Sequence, residues 1–195
     1  MTMAMPGTLM TDTTDWQVLA PDHEPPADTP KAPTPIRIGD VYVCHAEESD
    51  IPAIVALNNL YAPDGLTLHR SEAFVTAHLA DYQVIRDEHG GILGQVALDE
   101  YSPSLVELVS LAVAPDAQGK GTGQRLIQAA LHLARERGYP ELFAISLADS
   151  LFLRMGFRES SIVEYPEKIA RYRTISRSEL SIGRKFCFSM RLDQA

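Results

Sequence analysis

At 195 residues, with 45% hydrophobic and 22% charged side chains, the chain is long enough for one domain with a core of its own. Its 17 basic and 26 acidic residues give a net charge of -9, a field that repels phosphate backbones and anionic lipid, so neither nucleic acid nor a membrane surface is expected as a partner. Its two cysteines, Cys44 and Cys187, stand far apart in no metal-ligand spacing, which predicts reduced thiols in or near strands and no bound metal. The start of the chain has neither the basic opening nor the apolar stretch of a signal peptide. No apolar run approaches the roughly 18 residues of a membrane span, so the expected setting is the cytoplasm.

In chain order, residues 1–38 read as a proline-rich tail. Six of the 13 prolines fall between positions 21 and 35, among Asp, Glu and Thr, with too little apolar surface to offset the entropy of ordering. The folded domain is therefore expected over 39–195. Residues 41–45 read as a strand. Ser49 or Asp50 then opens a helix, with Pro52 in its first turn and Ile51, Ile54, Val55, Asn58 and Tyr61 at helical spacing. That helix stops before Pro63, and a second short one begins at Ser71. Residues 82–87 and 92–100, joined through His89-Gly90-Gly91, form a predicted β-hairpin.

The stretch 105–113 is almost continuously apolar, as in a strand buried on both faces at the centre of a sheet. A helix follows over about 122–137, with Leu126, Ala129, Ala130, Leu133 and Ala134 as its apolar stripe and Gly138 as its end. Residues 141–146 are another strand, 149–155 a short helix, and 186–192 a late strand. The predicted class is α/β (α+β), built around one mixed sheet with flanking helices.

The chemistry concentrates between the central strand and the long helix, in Gln118-Gly119-Lys120-Gly121-Thr122-Gly123. Peptide N–H groups in the first turn of a helix lack intrahelical partners, and the helix dipole favours negative charge there. Three glycines let an anion approach the main chain closely, and Lys120 adds a charge. Such a loop suits a pyrophosphate despite the acidic net charge. Glycines at every second position fit neither the Walker loop nor the G-x-G-x-x-G dinucleotide fingerprint.

This segment resembles the Q/R-x-x-G-x-G/A signature of the GNAT superfamily, here Gln118 to Gly123 after Ala112-Val113-Ala114-Pro115. Phe152-Leu153-Arg154-Met155-Gly156-Phe157 is similar to that family's F/Y-x-x-x-G-F element. The resemblance implies a GNAT fold in which acyl-CoA lies between two splayed strands, 105–113 and 141–146. The main chain of Leu111, Ala112 and Val113 would bind the pantetheine arm. The amides of Gln118, Gly119, Lys120, Gly121, Thr122 and Gly123 would hold the pyrophosphate.

Within the superfamily the chain looks most like the acetyltransferase domain of bacterial N-acetylglutamate synthases. The residues that carry this likeness are Leu68-His69-Arg70-Ser71-Glu72, Glu107 ahead of Leu108-Val109-Ser110-Leu111-Ala112-Val113, Leu142 to Ser146, Pro166-Glu167-Lys168 with Tyr172, and Arg184-Lys185. The implied reaction is acetyl transfer from acetyl-CoA to the α-amine of glutamate, feeding arginine synthesis, by a soluble enzyme for which a homodimer stays open.

A protonated amine cannot attack a thioester, and Glu107 on a buried strand is the candidate base. Phe152 stands where many GNAT enzymes have a tyrosine acid, so Ser146 is the candidate proton donor to the leaving thiolate. Arg70, Arg184 and Lys168 are the candidate partners for the substrate's carboxylates. Another amino acid, a polyamine or a protein N-terminus remains open as acceptor, as does a non-catalytic acyl-CoA sensor.

Overall fold

The computed structural model describes residues 35–39, 41–173 and 185–193. Its strands are β1 (Ile36–Ile38), β2 (Val41–His45), β3 (Tyr82–Arg86), β4 (Ile92–Ser102), β5 (Leu105–Val113), β6 (Glu141–Ser146), β7 (Arg158–Ser160) and β8 (Phe186–Arg191). Five helices are interspersed: α1 (Ile51–Leu60), α2 (Glu72–Ala77), α3 (Thr122–Glu136), α4 (Asp149–Arg154) and α5 (Pro166–Tyr172). All eight strands form one sheet in the order β1-β2-β3-β4-β5-β6-β8-β7, antiparallel except at β5-β6. This is the mixed sheet with flanking helices expected from the apolar pattern.

Helix α3 covers one face of that sheet. Leu126, Ile127, Ala129, Ala130, Leu131, Leu133 and Ala134 are buried, and the alanines let the helix lie close to the strands. The approach is tight enough that a Cβ on Gly94 in β4 would meet Leu126 Cδ1 at 2.9 Å. The helix ends where Tyr139 N–H reaches back to the Ala134 carbonyl at 3.0 Å, a bond that caps its last turn. On the opposite face α1 and α2 pack over Tyr82, Val84 and Ala97, with Ile54 and Val75 fully buried. A third cluster joins Leu105, Phe143, Tyr165 and Cys187, in which the Phe143 and Tyr165 rings stack at 4.2 Å.

Asp50 ties the start of α1 to the sheet. Its carboxylate accepts both Arg86 guanidinium nitrogens at 2.5 Å and the Glu47 N–H at 2.7 Å. Both cysteines are free thiols on strands, Cys44 on β2 and Cys187 on β8. Burial pushes the Cys187 thiol up to about 11. No helix among the described residues is long and apolar enough to cross a membrane.

Three elements escape the sequence pattern. Strand β1 pairs with β2 through Ile36↔Val43 and Ile38↔Val41, so the sheet begins inside the segment read as tail. Strand β7 is three polar residues at the sheet edge, Arg158-Glu159-Ser160, with no alternation to reveal it. Helix α5 is short and turns the charged Lys168 inward, the reverse of an amphipathic signal.

Candidate active site

The site opens where two neighbouring strands part. Strands β5 and β6 pair only through Val106↔Leu142, Glu107↔Phe143 and Leu108↔Ala144. Beyond that point β5 continues along β4 to Val113, and β6 continues along β8 to Ser146. The register between β4 and β5 slips between Gln95↔Ala112 and Ala97↔Val109, which places an extra residue on β5. Ser110 sits in that bulge with φ at 53°, the left-handed region that a non-glycine residue rarely occupies, and its Oγ lies 3.2 Å from the Tyr82 hydroxyl. A cavity of about 610 Å3 fills the gap, lined by both strands, the 118–124 loop and the loop between α1 and α2.

At one end the glycine loop enters α3. Gly119 and Gly121 have φ of 72° and 80°, a conformation that costs a side-chain-bearing residue steric energy. Gly121 is the N-cap and supplies no side chain to the first turn, so the leading peptide N–H groups, in residues that line the cavity, have no side-chain cap. Thr122 is pinned by its hydroxyl to the Ala117 carbonyl at 2.9 Å, which fixes where the helix begins. Ala114 N–H bonds the Leu93 carbonyl across the ladder at 2.9 Å. By antiparallel alternation, Val113 therefore turns its own N–H and C=O away from β4 into the gap. Its carbonyl receives the Tyr61 hydroxyl at 2.5 Å, and Gln118 Nε2 reaches both that hydroxyl (2.8 Å) and the carbonyl (3.3 Å). Thus Gln118 braces the end of β5 through its side chain, and Tyr61 from the end of α1 joins it.

Deeper in the cleft lies Glu107, 3% exposed. Lys168 Nζ donates to its Oε2 at 2.7 Å, and the Tyr101 hydroxyl donates to the same oxygen at 2.9 Å. Burial pushes the Glu107 carboxyl above its ordinary value, against the opposing pull of Lys168 and Tyr101. Burial, with Glu107 and Asp99 nearby, holds the Tyr101 hydroxyl firmly protonated. Ser146 stands at the other wall of the cavity, its Oγ accepting the Ala148 N–H at 3.0 Å. That bond leaves the hydroxyl hydrogen available to donate.

Cations gather at the remaining wall. Arg70 is held through its main chain: Asn59 Oδ1 accepts its N–H at 2.9 Å and Asn59 Nδ2 donates to its carbonyl at 2.8 Å. Its guanidinium lies 4.0 Å from the Phe74 ring centroid, and its Nε is buried with no hydrogen-bond partner among the described residues. Lys185 enters from the residue before β8, with Nζ 3.4 Å from the Leu66 carbonyl. Burial, then the Lys168 charge, pull the Lys185 ammonium below its ordinary value.

Most of the residues singled out in the sequence line one cavity; Lys168, Arg184 and Lys120 stand apart from the rest, each for its own reason. Lys168 lines it but is engaged with Glu107, and Arg184 lies outside the described residues, as do the N-terminal 34. Lys120 is exposed on the glycine loop, its carbonyl accepting Arg125 Nη1 at 2.7 Å. Sequence reasoning missed Tyr61, Tyr101, Ser110 and Lys185 as site residues. For Tyr101 a signal existed, since hairpin pairing of Asp99 with Glu107 puts a residue two positions along the same face of β4.

Comparison with known proteins gives a consistent picture. The profile of the acetyltransferase (GNAT) domain matches residues 78–159. An uncharacterized N-acetyltransferase of Chlorobaculum tepidum is 33% identical over 132 residues, covering 68% of this chain and 84% of that protein. The amino-acid acetyltransferase of Neisseria meningitidis serogroup B is 33% identical over 129 residues, covering 65% of this chain and 29% of that protein. Among solved structures, N-acetylglutamate synthase from Neisseria gonorrhoeae, complexed with coenzyme A and N-acetyl-glutamate, superposes with a TM-score of 0.70 at 30% identity. The match covers 80% of this chain and 36% of that one. A Mycobacterium tuberculosis protein in complex with CoA shares the fold, with a TM-score of 0.66 at 24% identity over 76% of this chain and 98% of that chain.

Proposed function

Because this chain belongs to the GNAT acetyltransferase family, we propose that it transfers an acetyl group from acetyl-CoA to the α-amine of an amino acid, L-glutamate foremost, as a step in arginine synthesis. The observation that carries this reading is a buried carboxylate, Glu107, in the same cavity as Arg70 and Lys185. Those groups match an acceptor that brings one proton to lose and two carboxylates to hold. The likeness to amino-acid acetyltransferases and to a synthase structure holding N-acetyl-glutamate supports the choice of acceptor. Two free thiols and no long apolar helix among the described residues suit the cytoplasm as the proposed setting.

The glycine loop fits the coenzyme. Left-handed glycines and an uncapped helix start offer peptide N–H groups to a pyrophosphate. The edge of β5 at Leu111 and Val113 offers the pantetheine arm a ladder to join. The Val113 carbonyl already receives Tyr61 and Gln118, so the N–H groups of this edge are the groups assigned to that contact. Bound there, acetyl-CoA supplies an activated thioester, and the chain's own side chains manage two protons.

Glu107 takes the proton from the acceptor's ammonium, directly or through a water, using the oxygen opposite Oε2. The freed nitrogen attacks the thioester carbonyl, whose developing negative charge is met by a peptide N–H of β5 at Leu111. As the carbon–sulfur bond breaks, Ser146 donates its hydroxyl proton to the thiolate, and the second proton shed by the nitrogen returns through water to reprotonate Ser146. Arg70 and Lys185 hold the carboxylates while this happens, and Arg184 is kept, from the sequence, as a further proposed partner for them.

The test is thiol release by the full chain with acetyl-CoA and a panel of amines: glutamate, glutamine, aspartate, ornithine and spermidine. Glutamate is expected to give the highest kcat/KM. Preference for an amine without a carboxylate would overturn the acceptor assignment.

A further inference from the structure

The ammonium of Lys168 is 2.7 Å from Glu107 Oε2, and the two side chains are only 6% and 4% exposed. A lysine placed to grip a substrate carboxylate would present its charge to the cavity. This one spends it on a protein carboxylate that burial alone would drive to the neutral form, which cannot accept a proton.

We propose that Lys168 is a positioning residue for the base and not a clamp for the acceptor: its ammonium keeps Glu107 ionised and turns its other oxygen toward the acceptor's nitrogen. This rests on the acetyltransferase reading above and reassigns one of the cations expected to hold the substrate.

The surroundings of Glu107 favour that role. From β4, Asp99 sits opposite it in the ladder and Tyr101 donates to Oε2. From β6, the register partner is the apolar Phe143. From α5, Lys168 and Arg171 lie three residues apart on one face, and Arg171 pairs with Asp99 at 2.5 Å while its guanidinium covers the Tyr101 ring at 3.9 Å. Around β8, Lys185 and Cys187 feel the Glu107 charge. Of the cations in this set, Lys168 is the one in contact with the base, and α5 delivers Lys168 and Arg171 as a unit.

The experiment compares pH profiles of kcat/KM for wild type and Lys168→Met with the same acceptor, so that the acceptor's own titration is common to both. The acid limb of Lys168→Met is expected to move to higher pH by roughly one to three units, because a carboxylate losing an adjacent cation gains affinity for its proton by that order. Lys168→Arg restores the charge and is expected to return the limb toward wild type. KM for the acceptor and affinity for coenzyme A stay close to wild type.

An unmoved limb with a raised acceptor KM would show that Lys168 grips the substrate and would overturn the proposal. If Lys168→Met does not fold, Tyr101→Phe serves in its place. Losing one hydrogen bond to Oε2 is expected to move the limb upward by a smaller step, and an unmoved limb counts against the proposal. Wild-type protein that releases thiol with no amine would instead defeat the acetyltransferase reading on which this rests.

Discussion

Hydroxyls and carboxylates in the cleft divide the chemistry by what each atom has left to give. Ser146 accepts a peptide N–H and keeps its proton to donate, whereas Glu107 has one oxygen engaged twice and the other assigned to the acceptor. Ser146→Ala is therefore expected to lower kcat by roughly ten- to a hundredfold with the acceptor KM unchanged, as for loss of a positioned acid with water as substitute. Steady-state kinetics with glutamate check this, and a variant at wild-type rate would assign the proton to another donor. Glu107 could be named as a candidate because its strand is recognisable, and Ser146 because Phe152 removes the usual hydroxyl; the structure places both on one cavity wall or the other. The roles of Tyr61 and Lys168 were not, because each depends on a partner more than 50 positions away, Val113 and Glu107, that only the packed sheet brings near. Sequence spacing reports neighbours along an element and is silent about such contacts.

Elements position these atoms, and their anchors are testable by stability. The start of α1 is fixed to β3 by the Asp50–Arg86 pair, with Asp50 itself buried. Burial pushes the Asp50 carboxyl up, but the Arg86 guanidinium and the Glu47 N–H together bring it below its ordinary value. A carboxylate lowered on folding adds stability that is fully present above its unfolded value and is lost as pH falls through the folded one. Asp50→Asn is accordingly expected to cost about 2 kcal/mol at neutral pH, the order of a hydrogen-bonded charge, and to lose that penalty in strong acid. Chemical denaturation at neutral and acid pH measures both, and a penalty independent of pH would refute the ionic account. At this scale the long elements were legible, since the apolar run of β5 and the stripe of α3 are period signals that burial enforces. Strands β1 and β7, three residues each, are too short to carry a period, and α5 contradicts the amphipathic rule because its inward residue is charged.

Across the whole molecule, an acidic chain of net charge -9 concentrates Arg70, Lys168 and Lys185 around one cavity. Local donors and not the global field must then capture the anionic coenzyme, and the proposed acceptor with it. Helices on both faces of the sheet leave the parting of β5 and β6 as the opening that reaches Glu107. The most direct measurement is glutamate-dependent thiol release from acetyl-CoA by wild type and Glu107→Gln, alongside calorimetric titration of each with coenzyme A. The expected result is turnover in the wild type, a fall in kcat of roughly 10²- to 10⁴-fold in the variant, the range for loss of a general base, and unchanged coenzyme affinity. Equal rates in the two proteins, or no glutamate-dependent release from either, would contradict it.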